Sequence, residues 1–305
     1  MSTLSAEELL KLSETDVIVP ITPEQYGPVL TQAPFINVEG TFNVRDIGKI
    51  PSGAAVDPSS ARIRPGYVFR SGMLTHLTPN GKATLASDLG VRRIFDFRSK
   101  SEHNQGPDPQ LSEDVTLVWL DATEETPHLS LEPFVEGHGE GGFVLTYLDV
   151  LKTYKATIAQ LLEHVRDRPS EPFLFHCTAG RDRTGVVAGL IQTLAGVPRD
   201  TIALDYMLSR IGSEPVRKQL EAFARLGAGV PTLTADAGAE DAKAAAAAVP
   251  PGFLNLINLR VVCWDAFVAA LDKEHGGYEG YVTKVLGFSE DDLATIQKNL
   301  TTAPQ

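Results

Sequence analysis

Hydrophobic positions along the chain follow two spacings that alternate. Short apolar runs of strand length occur within residues 66–71, 91–97, 115–120 and 173–175. Between and after these runs, apolar residues recur every three or four positions, which is the spacing of one face of an α-helix. Strands that alternate with helices are typical of βαβ units. The pattern therefore predicts an α/β fold with a central, mainly parallel twisted sheet flanked by helices.

Several helices have predictable ends. Thr78-Pro79 starts one, because proline is favoured at the first helical position, and this helix should run to about Leu89. The apolar face of residues 144–165 predicts one long amphipathic helix. Further helices are expected at 200–211 and 214–226. The segment 253–300 should form two or three helices, separated by the turn at residues 275–278.

The remaining segments suggest a single domain with additions. Residues 1–35 predict an N-terminal arm, with a helix near residues 5–12 followed by four prolines, and residues 36–305 predict one domain. Residues 35–50 suggest a strand pair, with Arg45 and Asp46 paired for structural reasons. The Ala-, Gly- and Pro-rich stretch 227–252 predicts a flexible insertion or lid connection, and residues 122–142 suggest a loop-like flap.

Composition and charge narrow the functional classes. The chain has 305 residues, 43% of them hydrophobic and 22% charged, which is ordinary for a soluble globular protein. We expect no membrane insertion, because there is no apolar run of about 18 residues. Neither is there a signal-peptide pattern. Two cysteines favour a reducing, cytoplasmic setting. A formal net charge of −12 argues against binding to nucleic acid.

The stretch FLFHCTAGRDRTGVVAGLI, residues 173–191, combines a buried strand, a polar loop and a helix. This arrangement aims backbone N–H groups and the positive end of a helix at an anion. Because the whole chain is acidic, an anion site must be locally positive, and Arg181, Arg183 and the helix N-terminus are the sources that the sequence offers.

Each residue of the loop has a chemical role in a phosphate site. The Cys177 thiolate is a nucleophile for phosphorus, and a helix N-terminus with nearby cations favours the ionised thiol. Arg183 can grip two phosphate oxygens with its planar fork. The backbone from Thr178 through Ala179, Gly180 and Arg181 can form an anion nest, with Gly180 permitting the tight curvature, and Thr184 can offer its hydroxyl to the sulfur. His176 is expected to orient the loop, whereas Cys263 is expected to be a core residue.

The loop HCTAGRDRTG resembles the active-site signature of the cysteine-dependent protein tyrosine phosphatase superfamily. The segments FNVRDIG, VFRSGML, IFDFRSKSE, DYMLSR and GGYEGYV resemble its bacterial and fungal tyrosine-phosphatase-like family. The resemblance implies a tyrosine-phosphatase-like fold with a helical lid or C-terminal region, and hydrolysis of phosphomonoesters without cofactor or metal. It also implies Cys177 as nucleophile, Arg183 as phosphate clamp and Asp182 as loop acid. The family usually has lysine at the position of Arg181, which leaves lipid specificity open.

The general acid is less well defined by the sequence. No Trp-Pro-Asp segment occurs, although most tyrosine phosphatases carry their acid there. Asp182 is the favoured candidate because it lies in the loop itself, and Asp121 and Asp96 are the alternatives.

The substrate and the rival functions also stay open at the level of sequence. Phosphotyrosine, a phosphoinositide or a small metabolite phosphate all suit the loop. A pseudophosphatase that binds phosphorylated partners is the main alternative. A rhodanese is disfavoured by the Arg-Thr-Gly continuation, and an arsenate reductase by the lack of an evident resolving cysteine.

Overall fold

One five-stranded sheet organises the protein. The structure is a computed structural model that describes residues 4–53, 62–122, 130–230 and 249–304. Within these ranges the strands have the order β1-β2-β5-β3-β4. Only β1 runs antiparallel to its neighbour, which confirms the predicted mainly parallel sheet of an α/β fold. The strands are β1 (Arg45–Asp46), β2 (Val68–Ser71), β3 (Arg93–Asp96), β4 (Thr116–Trp119) and β5 (Phe173–His176).

Helices flank the sheet. The described part of the chain holds α1 (Ala6–Ser13), α2 (Pro23–Leu30), α3 (Pro79–Ala83), α4 (Lys100–Gln105), α5 (Glu140–Thr153), α6 (Lys155–Asp167), α7 (Asp182–Leu194), α8 (Arg199–Gly212), α9 (Arg217–Gly227), α10 (Phe253–Ile257), α11 (Val261–His275), α12 (Gly277–Lys284) and α13 (Glu290–Thr301). None of these helices is long and apolar enough to cross a membrane.

Successive side chains of each strand point to opposite faces of the sheet, so the hydrophobic core is divided between the two faces. In β5, Phe173 and Phe175 join the larger hydrophobic cluster, whereas Leu174 joins a smaller cluster on the opposite face. Phe95 and Ile94 of β3 divide in the same way, because successive side chains of a strand point to opposite faces. Both faces are therefore buried, and β5 lies between β2 and β3 at the centre of the sheet.

Some predicted elements differ from the structure. The single helix expected over residues 144–165 is two helices, α5 and α6, which meet at Tyr154 with φ −102° and ψ 19°. At the break, the Tyr154 hydroxyl lies 3.4 Å from Arg183 Nη1, a contact that helical periodicity does not indicate. The strand pair expected over residues 35–50 is reduced to β1 and one bridge between Phe35 and Arg45.

The N-terminal arm is more regular than expected, because α2 follows α1. Leu9 and Val29 from these helices pack against Leu204 and Leu208 of α8. The arm thus lies on the rest of the protein, and its separation as a distinct segment stays a prediction. The helix expected from Pro79 continues beyond α3 through a wider turn at Thr84–Asp88. Residues 231–248 of the predicted insertion and residues 123–129 of the predicted flap lie outside the described residues.

Candidate active site

The polar loop lies at the carboxyl end of the central strand. β5 ends at His176, and the chain passes through residues 177–181 before α7 begins at Asp182. Gly180 has φ +65°, and a Cβ there would lie 2.3 Å from the carbonyl oxygen of Ser71. Only glycine permits both this left-handed conformation and this close approach. The curvature of the loop therefore depends on Gly180.

The carbonyl groups of the loop are held from outside. The oxygen of Thr178 accepts a hydrogen bond from the Met73 N–H at 3.1 Å. The oxygen of Gly180 accepts from Asn43 Nδ2 at 3.0 Å and from Arg70 Nη2 at 2.9 Å. No backbone N–H of residues 178–181 donates to another group in the described ranges. These amides are available to an anion, as in a nest at a helix N-terminus.

A buried ionic cluster supports this arrangement. Asp205 accepts from Arg45 Nε and from Arg70 Nη1, each at 2.7 Å, and all three side chains are at most 1% exposed. Arg45 also donates to the side-chain oxygen of Asn43 at 2.5 Å. One network behind the loop thus includes residues of three segments, FNVRDIG, VFRSGML and DYMLSR. The expected Arg45–Asp46 pair is wrong, because Asp46 instead accepts from the N–H groups of Gly48 and Gly66.

Cys177 opens the loop and is 2% exposed. Thr184 lies in the first turn of α7, and its side chain is fully buried. The Thr184 hydroxyl has no hydrogen-bond partner among the described residues. A buried polar group without a partner carries a free-energy cost, and such a group at a reactive site points to a role in the reaction.

Arg183 is held by a carboxylate that the sequence interpretation did not single out. Its Nη2 donates to Glu102 Oε1 at 2.7 Å, and its Nη1 donates to the Phe97 carbonyl oxygen at 3.0 Å. Glu102 also accepts from the Thr178 hydroxyl at 2.5 Å. Burial favours the neutral form of Glu102, but Arg183 and the hydrogen bonds lower its pKa to about 2. An ionised Glu102 therefore fixes the orientation of the Arg183 fork.

A signal for Glu102 was present in IFDFRSKSE. Ser99 and Glu102 form a capping box at the start of α4: the Ser99 side chain accepts from the Glu102 N–H, and Glu102 accepts from the Ser99 N–H. The S-x-x-E spacing predicts such a box. It does not predict that the same carboxylate reaches Arg183, which lies 81 positions along the chain.

Arg181 and Asp182 form a second pair in the loop. Arg181 Nε donates to Asp182 Oδ2 at 2.9 Å. Its Nη1 and Nη2 donate to the carbonyl oxygens of Ile257 and Leu256, at 2.7 and 2.9 Å, at the end of α10. Asp182 Oδ1 accepts from the hydroxyl of Tyr147 at 2.7 Å, and the Asp182 side chain is 29% exposed. Arg181 thus connects the loop to the C-terminal helices.

The two alternative acids have different surroundings. Asp96 is 3% exposed and accepts from Arg98 Nη2 at 2.8 Å and from His103 Nδ1 at 2.9 Å. Burial raises its pKa, but His176 and Arg98 reverse the effect and hold it well below the usual range. Asp121 is about half exposed and forms an ion pair with Lys100 at 2.6 Å.

His176 is a buried partner of the loop backbone. Its Nε2 lies 2.7 Å from Asp108 Oδ2, and its Nδ1 lies 3.2 Å from the Cys177 carbonyl oxygen. Burial disfavours the cation, but Asp108 and Asp96 raise the pKa of His176 to about 9. A protonated His176 donates from both ring nitrogens, which fits the predicted orienting role.

The acidic group around His176 is also the one candidate for a metal site in the described ranges. Ligand atoms of Asp96, Asp108 and His176 lie within 4.8 Å of one another. Arg98 Nη2, however, donates to both carboxylates at 2.8 Å, and His176 is favoured as a cation. These partners already balance the two negative charges, so the group does not fit a metal ion.

Comparisons with known proteins identify the family of the chain. A sequence model of the tyrosine phosphatase family matches residues 36–302. The chain is 31% identical over 263 residues to a tyrosine-protein phosphatase of Nostoc commune, covering 83% of this chain and 82% of the relative. It is 28% identical over 208 residues to the triple specificity protein phosphatase PtpB of Mycobacterium tuberculosis, covering 59% of this chain and 71% of that protein. The chain therefore belongs to the tyrosine phosphatase family and is a cysteine-dependent phosphatase.

Proposed function

We propose that this member of the tyrosine phosphatase family hydrolyses phosphomonoesters through a phosphocysteine, without a metal ion. Cys177 is the nucleophile, Arg183 the phosphate clamp and Asp182 the general acid. The observation that carries the proposal is the loop around Cys177, whose carbonyl oxygens are bound from outside while its N–H groups have no acceptor in the described ranges.

In the first step the loop binds the phosphoryl group. Amides of residues 178–183 and the Arg183 fork neutralise the three non-bridging oxygens, where charge is concentrated in the transition state. The Cys177 thiolate attacks phosphorus, the S–P bond forms, and the bond from phosphorus to the ester oxygen breaks. Asp182 gives its proton to that oxygen, so the alcohol leaves neutral.

In the second step water hydrolyses the phosphocysteine. Asp182, now ionised, accepts a proton from the attacking water. The new P–O bond forms, the S–P bond breaks and inorganic phosphate leaves. The buried Thr184 hydroxyl donates to the departing thiolate, which gives this unpartnered group a function.

The surroundings of the three candidate aspartates support Asp182 as the acid. Asp96 is held ionised by Arg98 and His176, so it has no proton to donate near neutral pH. Asp121 forms an exposed pair with Lys100 after β4. Asp182 lies in the loop between Arg181 and Arg183, with part of its side chain exposed.

The substrate assignment rests on two features near the loop. A groove of about 480 Å³ borders Thr178 and is lined by apolar side chains that include Phe42, Met73 and Phe223. Three of the five N–H groups of Arg181 donate to Asp182 and to the carbonyl oxygens at the end of α10, which leaves only two for a second phosphate. These features favour phosphotyrosine and other esters with an apolar alcohol over polyphosphorylated inositols. The triple specificity named for the PtpB relative supports a broad range.

The test is turnover of p-nitrophenyl phosphate in excess EDTA. Wild-type activity should persist, and Cys177→Ser should lower kcat by about 10⁴-fold or more, as removal of a nucleophile does in other hydrolases. Cys263→Ala is the matched control: Cys263 is fully buried within the larger hydrophobic cluster, and burial raises its pKa to about 11. This variant should keep its activity per folded molecule.

Two results would contradict the proposal. Wild-type activity that disappears in EDTA would indicate metal chemistry, and full activity in the serine variant would exclude Cys177 as nucleophile. Tight binding of phosphotyrosine peptides without turnover would instead favour the pseudophosphatase. A panel of phosphopeptides, phosphoinositides and small phosphates then ranks the substrates.

A further inference from the structure

Two buried tyrosines lie behind the loop aspartate. The Tyr147 hydroxyl of α5 is 2.7 Å from Asp182 Oδ1, and the Tyr206 hydroxyl of α8 is 2.7 Å from the Tyr147 hydroxyl. Tyr147 is fully buried and Tyr206 is 1% exposed. Three residues from three helices thus form one chain of hydrogen bonds that ends on a carboxylate of the candidate site.

The direction of these hydrogen bonds follows from protonation. Burial and the negative charge of Asp182 raise the pKa of Tyr147 and the pKa of Tyr206 well above their usual value. Both phenols are therefore neutral, and each has one hydrogen to donate. The Tyr147 hydroxyl donates its hydrogen to Asp182 Oδ1. Tyr206 must then donate to Tyr147.

Packing fixes both hydroxyl groups. The Tyr206 ring stacks on Trp264 with 4.9 Å between ring centroids. The Tyr147 ring makes an edge contact with Phe267, with 5.3 Å between centroids. Gly185 of α7 leaves room for Tyr206, because a Cβ there would lie 3.1 Å from its ring. The hydroxyl pair is therefore rigid relative to the loop.

We propose that Tyr147, oriented by Tyr206, is a positioning residue that aims the Asp182 carboxyl group at the leaving-group oxygen. The proposal rests on the function proposed above, in which Asp182 is the general acid. Tyr147 occupies one lone pair of Oδ1, and Arg181 occupies one lone pair of Oδ2. The carboxyl plane is then fixed at both oxygens, and the remaining lone pairs carry the transferred proton.

This role predicts that the loss of rate on removal of the Tyr147 hydroxyl depends on the leaving group of the substrate. A general acid must be oriented toward the oxygen that it protonates. Nitrophenolate leaves readily without a proton, whereas phenolate needs one. Loss of the Tyr147 hydroxyl should therefore slow the hydrolysis of phenyl phosphate far more than that of p-nitrophenyl phosphate. A loss of general stability would slow both equally.

The experiment compares Tyr147→Phe with wild type on these two substrates, with each rate divided by the concentration of folded enzyme. Proton transfer by a positioned acid contributes about 10²–10⁴-fold, so loss of orientation should cost about tenfold in kcat/KM on phenyl phosphate, because kcat/KM reports the step in which the leaving group departs. The loss on p-nitrophenyl phosphate should be less than about threefold on the same basis. Tyr206→Phe should show the same pattern with a smaller amplitude, and it provides the test if Tyr147→Phe does not fold.

Tyr278→Phe is the matched control. The Tyr278 hydroxyl is also buried and donates to the Val186 carbonyl oxygen of α7 at 2.9 Å, whereas the hydrogen bonds of Asp182 in the described part of the chain go to Tyr147 and Arg181. This variant loses a buried hydroxyl that donates to the helix of Asp182, α7, so it should lower stability without changing the ratio of the two rates.

The Asp182→Asn variant tests the acid assignment of Asp182 separately from the positioning role of Tyr147. If this variant loses far more activity on phenyl phosphate than on p-nitrophenyl phosphate, Asp182 is the acid. Equal losses on the two substrates from Tyr147→Phe would then overturn the positioning role alone. Equal losses from Asp182→Asn would overturn the acid assignment, and the positioning role with it.

Discussion

Two buried charge clusters hold the polar loop, and they have opposite ratios of arginine to aspartate. The arginine-rich cluster contains Arg45, Arg70 and Asp205, two guanidinium groups around one carboxylate. The aspartate-rich cluster contains Asp96, Asp108, Arg98 and His176, in which Arg98 and His176 face two carboxylates. Both are almost fully buried. They differ in the part of the loop that they contact and in the net charge that they place next to the loop.

The difference explains how an acidic protein builds an anion site. Arg181 and Arg183 were expected to make the loop positive, but each is paired with a carboxylate, on Asp182 and Glu102. The aspartate-rich cluster is balanced when His176 is protonated. The arginine-rich cluster has one guanidinium in excess, and Arg70 reaches the Gly180 carbonyl oxygen. Uncompensated positive charge therefore lies beneath the loop amides.

The largest effect should come from breaking the arginine-rich cluster. Asp205→Asn keeps the shape of the side chain but leaves Arg45 and Arg70 without their anion. Removing one partner of a buried ion pair costs about 3–5 kcal/mol. The free energy of unfolding, measured by urea titration, should fall by about that amount. Activity should also fall, because the carbonyl oxygen of Gly180 loses its support.

A surface pair is the control for this substitution. Asp265 and Arg199 are 43% and 60% exposed and lie 3.0 Å apart. Exposed ion pairs contribute about 0–1 kcal/mol, so Asp265→Asn should change the free energy of unfolding by no more than this. Equal losses in the free energy of unfolding for the two variants would show that the buried cluster stabilises the fold no more than an exposed ion pair does.

An intermediate effect is expected for Arg98→Met in the aspartate-rich cluster. Asp96 and Asp108 lose Arg98 but keep His176, and Asp96 keeps His103. Hydrogen bonds to charged groups contribute about 1.5–3 kcal/mol, so we expect a loss of about 2–3 kcal/mol in the same urea titration. A loss larger than that of Asp205→Asn would contradict the view that histidine supplies the remaining compensation.

A pH dependence of stability should also distinguish the clusters. The folded-state pKa of His176 is raised from 6.5 to about 9. A raised pKa gives stability that is fully present below about pH 6.5 and is lost as the pH rises through 9. The urea midpoint of wild type should therefore fall between pH 6.5 and 9.

His176→Asn is the comparison for this pH dependence. The asparagine side chain cannot gain a proton, so the difference in urea midpoint between wild type and variant should shrink as the pH rises. Asp205→Asn retains His176, so its urea midpoint should change with pH as steeply as that of wild type. A constant difference between wild type and His176→Asn across this range would show that His176 does not change its protonation there.

Sequence reasoning succeeded where the signal was local. The strand before Cys177, the helix after it and the glycine at position 180 are contiguous, and the structure has each of them. It failed for the long helix over residues 144–165, which is divided at Tyr154, a residue whose hydroxyl contacts Arg183, 29 positions further along the chain. The expected pairing of Arg45 with Asp46 failed for the same reason: the partner of Arg45 lies 160 positions away.

Residues that act through distant partners were invisible in the sequence. Glu102, Asp108 and Tyr147 each contact the loop region from 81, 68 and 35 positions away. A carboxylate or a phenol on an amphipathic helix has no pattern of its own, because its role depends on what the fold places opposite it. The motifs that resemble the family contain Glu102 and Tyr206 but do not say what they contact.

The sequence by itself determined the alternation of strands and helices and the family, and it gave the roles that we propose for Cys177 and Arg183, because these depend on local spacing and side-chain type. Only the tertiary structure decided which carboxylate orients Arg183, which groups hold the carbonyl oxygens of the loop outward, and where the excess positive charge lies. These depend on burial and on distances between segments far apart in the chain. Neighbouring charges set the protonation of His176 and Glu102 against the effect of burial, burial keeps the two tyrosines neutral, and linear order encodes neither.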